Sequence, residues 1–150
     1  AVEDWQVEWK WDGIRAQLIS QGGALMLWSR GDESVGHSFP EILEASKWLP
    51  SDLCLDGEIL AWGKEGLRSF SRLQKRLGRK EPGPMILKGE PVRFQAYDLL
   101  RLNGKDLRGL SLRERRKQLE EIFSSLPREF PLGLSPVVKD DEWTDLAKVR

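Results

Sequence analysis

The stretch Glu8-Trp9-Lys10-Trp11-Asp12-Gly13-Ile14-Arg15 decides how the rest of this sequence is interpreted. It predicts a strand, a tight turn and a second strand, because Gly tolerates positive φ and Asp hydrogen-bonds locally at a turn. Alternate side chains of a strand share one face, so Glu8 and Lys10 lie on one side while Trp9 and Trp11 lie on the other. A lysine and a carboxylate therefore line the same surface.

Lys10 is the candidate nucleophile of this surface. We expect the neighbouring tryptophans to pack against a core and to leave the lysine on a rigid, partly desolvated wall, where burial favours the neutral, nucleophilic amine. Arg15, on the second strand, would point toward the same cavity with donors suited to phosphate or ribose oxygens. From spacing alone, a hairpin with a solvated lysine is the more common arrangement.

The composition indicates one globular domain and excludes several classes of protein. The chain has 150 residues, of which 39% are apolar, and this is enough to bury one core. No apolar run approaches the roughly 20 residues that span a membrane and no leader opens the sequence, so we expect a soluble, cytoplasmic, monomeric protein without membrane partners. Cys54 and His37 are the single cysteine and histidine, which excludes an internal disulfide and zinc chemistry.

The charge balance and the chain ends suggest part of something larger. The net charge is zero, with 24 basic and 24 acidic residues, so the overall field would not steer the chain to nucleic acid. The sequence begins with Ala1 and stops inside a helix predicted over 141–150. We therefore expect a piece of a longer polypeptide.

A hairpin is predicted directly after the opening stretch. Apolar side chains alternate with polar ones, a glycine pair makes the turn, and a second strand covers 24–30. Trp28 and Arg30 share one face of that strand. Arg30 stands at its end, where most arginines are simply solvated.

The segment 53–62 places two carboxylates in a mainly apolar strand. Asp56 and Glu58 face the same side. Gly57 between them weakens the strand but permits the close approach of another backbone or a ligand. Because carboxylates on a strand face are usually solvated, this pair indicates a site only in combination with other signals.

A short helix over 67–78 is predicted to carry a concentrated basic surface. Phe70, Leu73 and Leu77 would point inward, and Gly78 would end the helix. Either a solvated helix face or contact with a phosphate backbone explains such a run of charge. The cations assigned to its outer face and exit are Arg68, Arg72, Lys75, Arg76, Arg79 and Lys80.

Tyr97, the only tyrosine, lies in a strand predicted from residue 92. Val92, Phe94 and Ala96 alternate with polar residues, which leaves Tyr97 on the polar face. A tyrosine at the edge of the core is the ordinary alternative.

The remaining segments indicate structure rather than chemistry. Capping boxes at Ser38 and Ser111 predict the starts of two helices. Residues 81–90 are rich in Pro and Gly and predict a loop, whereas 134–138 predict a further strand.

Four strings, in this order, resemble the motifs of covalent nucleotidyltransferases and most closely those of ATP-dependent DNA ligases. The resemblance implies an α+β, ATP-grasp-like fold of mostly antiparallel sheets flanked by helices, incomplete at its C-terminus. The helix string 73–80 is also similar to one in bacterial and archaeal ligases. The four strings are Glu8-x-Lys10-x-Asp12-Gly13-x-Arg15, Ser29-Arg30-Gly31, Asp56-Gly57-Glu58 and Phe94-x-Ala96-Tyr97-Asp98.

The resemblance implies a role for each matching side chain. Lys10 would attack the α-phosphate of ATP, expel pyrophosphate and carry AMP, with Mg²⁺ as the cofactor. The other contacts implied are adenine for Glu8 and Tyr97, ribose and phosphate oxygens for Arg15 and Arg30, and ribose together with the metal for Glu58.

The complete enzyme so implied passes AMP to the 5′-phosphate of nicked double-stranded DNA and seals the nick with the 3′-hydroxyl, as DNA replication, repair and recombination require. An OB-fold domain and the remaining adenylation strands are expected in the parent chain. Lysines of those strands would stabilise phosphate charge, so we expect this piece alone to be weak or inactive. The alternatives are an RNA ligase or capping enzyme, and a non-catalytic remnant that binds DNA or a partner. The candidate DNA contacts are Arg72, Lys75, Arg76, Arg79 and Lys80.

Overall fold

The computed structural model describes residues 4–139, which form an α+β domain built on one large sheet. The strands are β1 (Val7–Glu8), β2 (Ile14–Gln21), β3 (Ala24–Ser29), β4 (Leu53–Gly63), β5 (Gly66–Leu67), β6 (Val92–Leu102), β7 (Lys105–Asp106), β8 (Leu132–Leu134) and β9 (Val137–Val138). The helices are α1 (Pro40–Ser46), α2 (Phe70–Gln74), α3 (Pro84–Gly89) and α4 (Leu112–Ser124), with a 3₁₀ turn at Gly36–Ser38.

The large sheet is mostly antiparallel. Its strands run in the order β3-β2-β4-β6-β7, while β5 pairs with β4 and β8 lies parallel to β6. The two long central strands, β4 and β6, pair along most of their length. The predicted α+β class with antiparallel sheet is confirmed.

One face of this sheet is covered by helices, and the other, which we call the open face, carries exposed side chains along β2. Ala16 and Leu18 of β2 are 2% and 1% exposed, whereas Arg15 and Gln17, which alternate with them, are exposed. This alternation is what a half-buried strand requires. The helices α1, α2 and α4 contribute to the same core as the buried side of the sheet. The polar side of β2 therefore belongs to the open face.

The opening stretch does not form the long strand that the sequence predicts. β1 ends at Glu8 and pairs with β9 instead of β2. The reason is that the two tryptophans have different surroundings: Trp9 is 46% exposed, while the indole nitrogen of Trp11 donates to the Ser135 hydroxyl at 2.9 Å. No common core face holds the segment in an extended conformation.

One predicted capping box is confirmed and the other is wrong. Ser111 accepts the N–H of Glu114, whose carboxylate accepts in turn the backbone N–H of Ser111. Ser38 does not cap α1, which starts after Phe39 without a side-chain cap. The Ser38 hydroxyl donates instead to the carbonyl of Arg79 at 2.9 Å, a tertiary contact that the local pattern does not reveal.

The helix boundaries between β4 and β6 also differ from the prediction. The predicted helix over 67–78 is reduced to α2, because Leu67 pairs with Trp62 in the β4–β5 ladder. The predicted loop over 81–90 contains α3, with Pro84 in its first turn, where a fixed φ favours helix initiation.

The C-terminal predictions have mixed outcomes. The strand predicted over 134–138 is divided between β8 and β9. The helix predicted over 141–150 lies outside the described residues. Within 4–139, none of the helices combines the length and the apolar character that crossing a membrane requires.

Candidate functional site

The open face of the sheet brings together side chains from its three central strands. Arg15 of β2 lies opposite Glu58 of β4, and Glu58 lies opposite Gln95 of β6. Asp56 is two residues before Glu58 and contacts Arg15. This arrangement confirms that the two carboxylates of β4 share the side on which Arg15 lies.

Arg15 is held by Asp56. Nη2 of Arg15 donates to Oδ2 of Asp56 at 2.9 Å, and Nε approaches Oδ1 at 3.5 Å. The hydrogen bonds and the negative charge of Asp56 raise the pKa of the Arg15 guanidinium. The Asp56 side chain is 10% exposed and that of Arg15 is 52% exposed. A nearly buried carboxylate thus anchors a cation that still faces solvent.

Glu58 is a half-buried carboxylate beside this pair. Burial raises its pKa, while a hydrogen bond from the Gly13 N–H and the charge of Arg15 oppose that shift. A Cβ at Gly13 would collide with the backbone oxygen of Ile59. The glycine of the opening stretch therefore allows β2 to start close enough to β4 for its N–H to reach Glu58.

Tyr97 reaches the same region through an irregularity in β6. Asp56 pairs with Asp98 and Gly57 pairs with Ala96, so Tyr97 is an extra residue in the ladder. Such bulges redirect a side chain and are frequent beside active sites. Burial first, and then the negative charge of Asp56, raise the pKa of the Tyr97 phenol to about 12.

Several of the other predicted site residues are close enough to Tyr97 for their charges to shift its pKa. Glu58 and Glu8 raise the pKa of the phenol, whereas Arg15 lowers it. These influences require proximity, because Coulomb interactions between solvent-accessible groups weaken within about 10 Å at ordinary ionic strength. Glu8, Arg15 and Glu58 therefore lie near Tyr97.

Lys10 follows Glu8 on the segment that leads into this region. β1 is held by its pairing with β9, and the Gln6 amide donates to Glu8 Oε1 at 2.6 Å. The expected partly desolvated wall is wrong: Lys10 is exposed. The reason is that Trp9 does not pack against a core, while the Trp11 ring lies edge-on to Trp62 with 6.2 Å between ring centroids.

A cleft extends from Arg15 toward the β2–β3 hairpin. Its volume is about 460 Å³. β3 ends one residue before the predicted position, and the backbone N–H of Arg30 donates to the carbonyl of Arg15 at 3.0 Å. The cleft thus joins two of the predicted residues but not Lys10, Glu58 or Tyr97. Its lining is Arg15, Ala16, Gln17, Ile19, Trp28, Ser29, Arg30, Asp32 and Asp56.

Arg76 is not a surface cation, so its assignment to a DNA-binding face is wrong. Its side chain is 0% exposed. The guanidinium donates to both carboxylate oxygens of Glu41, at 2.6 and 2.9 Å, and to the carbonyls of Ser38 and Glu90. It also lies over the Phe39 ring, 5.4 Å from the centroid. Arg76 is buried because its guanidinium hydrogen-bonds α1 and also the segments around α2 and α3.

The other predicted cations remain on the surface, and two of them share one carboxylate. Arg72 and Lys75 pair with Oε1 of Glu90, at 2.9 and 3.2 Å. Arg79 donates through Nε to the carbonyl of Lys75, and Lys80 is exposed. We call this set the basic surface: Arg72, Lys75, Arg79 and Lys80.

Two further side chains of this face, Asp56 and Trp28, are not identified as site residues by the sequence pattern. The strand pattern places Asp56 on the same side as Glu58, but the contact of Asp56 with Arg15 depends on a pairing between distant segments. Alternation along the strand puts Trp28 on the same face as Arg30, and the structure brings it into the cleft. No set of three or more His, Cys, Asp and Glu side chains in 4–139 is arranged to hold a metal ion.

Comparison with known proteins identifies relatives of this chain. The family model described as ATP dependent DNA ligase domain matches residues 1–148. A probable DNA ligase of Opitutus terrae is 44% identical over 118 residues, which cover 78% of this chain and 12% of that protein. The chain therefore spans about an eighth of the length of that relative.

Solved structures with this fold include two mycobacterial ligase domains. The ligase domain of M. tuberculosis LigD has 29% sequence identity and a TM-score of 0.68, covering 90% of this chain and 41% of that one. A mycobacterial DNA ligase D complexed with ATP and MES has 28% identity and the same TM-score, with 90% and 40% coverage. The α+β fold with a mostly antiparallel sheet is thus that of a ligase nucleotidyltransferase domain.

Proposed function

Because the chain belongs to the family of ATP-dependent DNA ligase domains, we propose that it supplies the adenylation face of a DNA ligase, with Lys10 as the residue that takes AMP from ATP. The observation that carries this proposal is the convergence of Arg15, Asp56, Glu58 and Tyr97 on one open sheet face. Lys10 lies on the exposed segment between Glu8 and that face. The names of the relatives favour DNA over RNA as the final substrate.

The proposed first step is the transfer of AMP to a lysine. The neutral amine of Lys10 attacks the α-phosphorus of ATP, a P–N bond forms, and the bond to the β-phosphate oxygen breaks. Pyrophosphate leaves with that electron pair, and the amine proton passes to solvent. Because Lys10 is exposed, its amine is accessible to the nucleotide.

The other side chains bind and orient the nucleotide in this proposal. Tyr97 stacks on adenine with a protonated phenol, and Glu8 approaches the same base. Arg15, aligned by Asp56, donates to ribose or phosphate oxygens. Arg30 adds a second guanidinium on the same face, and planar guanidinium groups match phosphate geometry well.

Mg²⁺ is the cofactor that we propose for this face. The ion keeps several waters and usually takes one or two carboxylates together with substrate phosphates. Glu58 fits that donor set because it is half-exposed and, unlike Asp56, has no guanidinium within hydrogen-bond distance among residues 4–139. When bound, the ion would neutralise phosphate charge.

Later steps require DNA and further parts of an enzyme. AMP passes to the 5′-phosphate of nicked double-stranded DNA, and the 3′-hydroxyl then displaces AMP. The basic surface would contact the DNA backbone, without Arg76. We propose that an OB-fold domain and additional adenylation strands belong to the longer protein, that the chain alone adenylates weakly, and that it acts as a monomer.

Intact-mass spectrometry after incubation with ATP and Mg²⁺ tests the first step. We expect an added AMP on the chain, or on a longer polypeptide that extends past Arg150, and no adduct with Lys10→Ala. Lys10→Arg is the matched variant, because it keeps the charge but removes the nucleophile. Loss of the adduct in both variants places the covalent bond on Lys10.

Two results would contradict the proposal. An adduct that persists in Lys10→Ala would assign the nucleophile to another residue. The absence of an adduct in both the chain and the longer polypeptide would remove the adenylation function altogether.

A further inference from the structure

Ser135 is a buried serine that contacts the segment carrying Lys10. It directly follows β8 and is 0% exposed. Its hydroxyl oxygen accepts the indole N–H of Trp11 at 2.9 Å, from a residue 124 positions away in the sequence. Trp11 comes immediately after Lys10. The hydrogen bond therefore fixes the direct neighbour of the proposed nucleophile.

The stretch from Ser135 to Val138 holds this segment on both sides of Lys10. Before the lysine, Glu8 pairs with Val137 in the β1–β9 ladder. After the lysine, Trp11 donates to Ser135. Because a two-residue ladder is weak alone, the second contact is needed to limit the movement of the backbone that carries the exposed amine.

Ser135 is itself fixed, through its backbone, to β6 and to α4. Its N–H donates to the carbonyl of Ala96 at 2.8 Å, and Ala96 directly precedes Tyr97. Its carbonyl accepts Nη1 of Arg116 at 2.9 Å, and Arg116 is 9% exposed. One buried residue thus hydrogen-bonds the neighbour of Lys10, the neighbour of Tyr97 and the first turns of α4.

The hydroxyl contact is unusual among buried serines because its partner is a distant side chain. Most side-chain hydrogen bonds go to the backbone or to water, as at Ser46, whose hydroxyl donates to the carbonyl of Ile42 one turn earlier in α1. An indole N–H can only donate, so the Ser135 oxygen must be the acceptor. This bond orients one segment against another and adds nothing to a local turn.

We propose that Ser135 is a positioning residue for Lys10: by holding Trp11, it fixes the amine relative to the strand that presents Tyr97 to adenine. The inference rests on the proposed function and names what aligns the nucleophile with the bound nucleotide. Neither Ser135 nor Trp11 needs to touch ATP in this role. Their loss should therefore slow the reaction of bound ATP without weakening its binding.

Rates of AMP adduct formation at varied ATP concentration, measured by intact mass, test this role. The assay uses the chain or the longer polypeptide, whichever forms the adduct with its sequence unsubstituted. Ser135→Ala should lower the rate at saturating ATP about tenfold, since small misplacements of a reacting group commonly cost one to two orders of magnitude. The ATP concentration that gives half the maximal rate should stay the same.

Trp11→Phe removes the other partner of the same hydrogen bond. It keeps an aromatic ring to pack against Trp62, which lies edge-on to Trp11 at 6.2 Å between centroids. We expect the same loss of rate as in Ser135→Ala. The double variant should lose no more than either single variant, because contacting residues that share one interaction are not additive.

Ser46→Ala is the matched control for loss of a buried serine hydroxyl. Ser46 is 2% exposed, and its hydrogen bond to Ile42 lies within α1. Its substitution should lower the unfolding midpoint and leave the rate of adduct formation unchanged. Circular dichroism at the assay temperature establishes that each variant is folded.

Four outcomes would overturn the positioning role. They are an unchanged rate in Ser135→Ala, an equal loss of rate in Ser46→Ala, additive losses in the double variant, and a loss that appears only as a higher ATP requirement. Failure of the proposed function is distinguishable, because it appears as a missing AMP adduct in the unsubstituted protein and removes this inference with it.

Discussion

Arg15 Nη2 lies 2.9 Å from Asp56 Oδ2, diagonally across the β2–β4 ladder in which Arg15 faces Glu58 directly. The carboxylate is nearly buried and the guanidinium is half-exposed. Because a buried anchor limits the rotation of an exposed donor, this pair fixes where the cation can contact a ligand. Asp56 is therefore a positioning residue for Arg15.

Asp56→Asn should slow formation of the AMP adduct by about tenfold, since small losses of alignment commonly cost one to two orders of magnitude. The reason is that the neutral amide holds Arg15 more weakly and leaves it free to rotate. Initial rates of adduct formation at varied ATP concentration measure the effect. Asp106→Asn, in the exposed pair with Arg108, is the control. Equal rates for Asp56→Asn and the original protein would contradict the positioning role.

Tyr97 should ionise at unusually high pH. Its pKa is raised to about 12, above the usual 10, and it is the only tyrosine, so tyrosinate absorbance reports this residue alone. The folded state binds the phenolic proton more tightly than the unfolded chain, so its contribution to stability is complete below pH 10 and is lost as the pH rises toward about 12.

Spectrophotometric titration of the folded and urea-unfolded chain checks this value. Asp56→Asn should lower the midpoint of the folded protein, because Asp56 is the second largest cause of the shift after burial. Coincident folded and unfolded midpoints would show that the phenol is not buried beside negative charge.

Arg76→Met should destabilise the fold by about 3 kcal/mol, because removal of one partner of a buried ion pair leaves the other without compensation. Glu41 and two backbone carbonyls would lose their donors. Urea unfolding followed by circular dichroism measures the change. Arg108→Ala, at an exposed ion pair, should leave the midpoint unchanged.

DNA affinity provides a second readout for Arg76. At a temperature where Arg76→Met is folded, its affinity for duplex DNA should equal that of the original chain, whereas Lys80→Ala should reduce it. A large loss of affinity in folded Arg76→Met would restore Arg76 as a surface contact.

Gly57→Ala should destabilise the protein by about 2 kcal/mol, within the usual range for overpacking. A Cβ at this position would lie 2.5 Å from the Gln95 carbonyl oxygen and 2.6 Å from the Phe94 ring. Gly109→Ala is the control, because nothing lies within 4 Å of its added Cβ. Equal unfolding midpoints for the two variants would show that β4 and β6 separate easily, contrary to the ladder described above.

Local patterns predicted those parts of the site that lie within one strand or hairpin. The β2–β3 hairpin, the shared face of Asp56 and Glu58, and the Ser111 cap depend on neighbours within a few residues, and all three are present. Alternation along a strand and short-range hydrogen bonds are enough to specify them.

Contacts between distant segments were not predictable from the same patterns. Arg76 lies in a run of cations that suggests a solvated face, yet it is buried by Glu41 and the carbonyl of Glu90. The extra residue at Tyr97 appears only when β6 is aligned with β4. Lys10 is exposed because the segment before it pairs with β9 and does not pack against the core.

The pairing of β1 with β9 has a kinetic consequence. It joins the segment before Lys10 to residues near the other end of the described chain, and contacts so far apart in sequence form late because loop closure is costly. A two-residue ladder is also weak alone. During refolding we therefore expect helical and sheet signals to recover before the lysine becomes reactive toward ATP, so covalent labelling would time the final docking of the chain rather than its collapse.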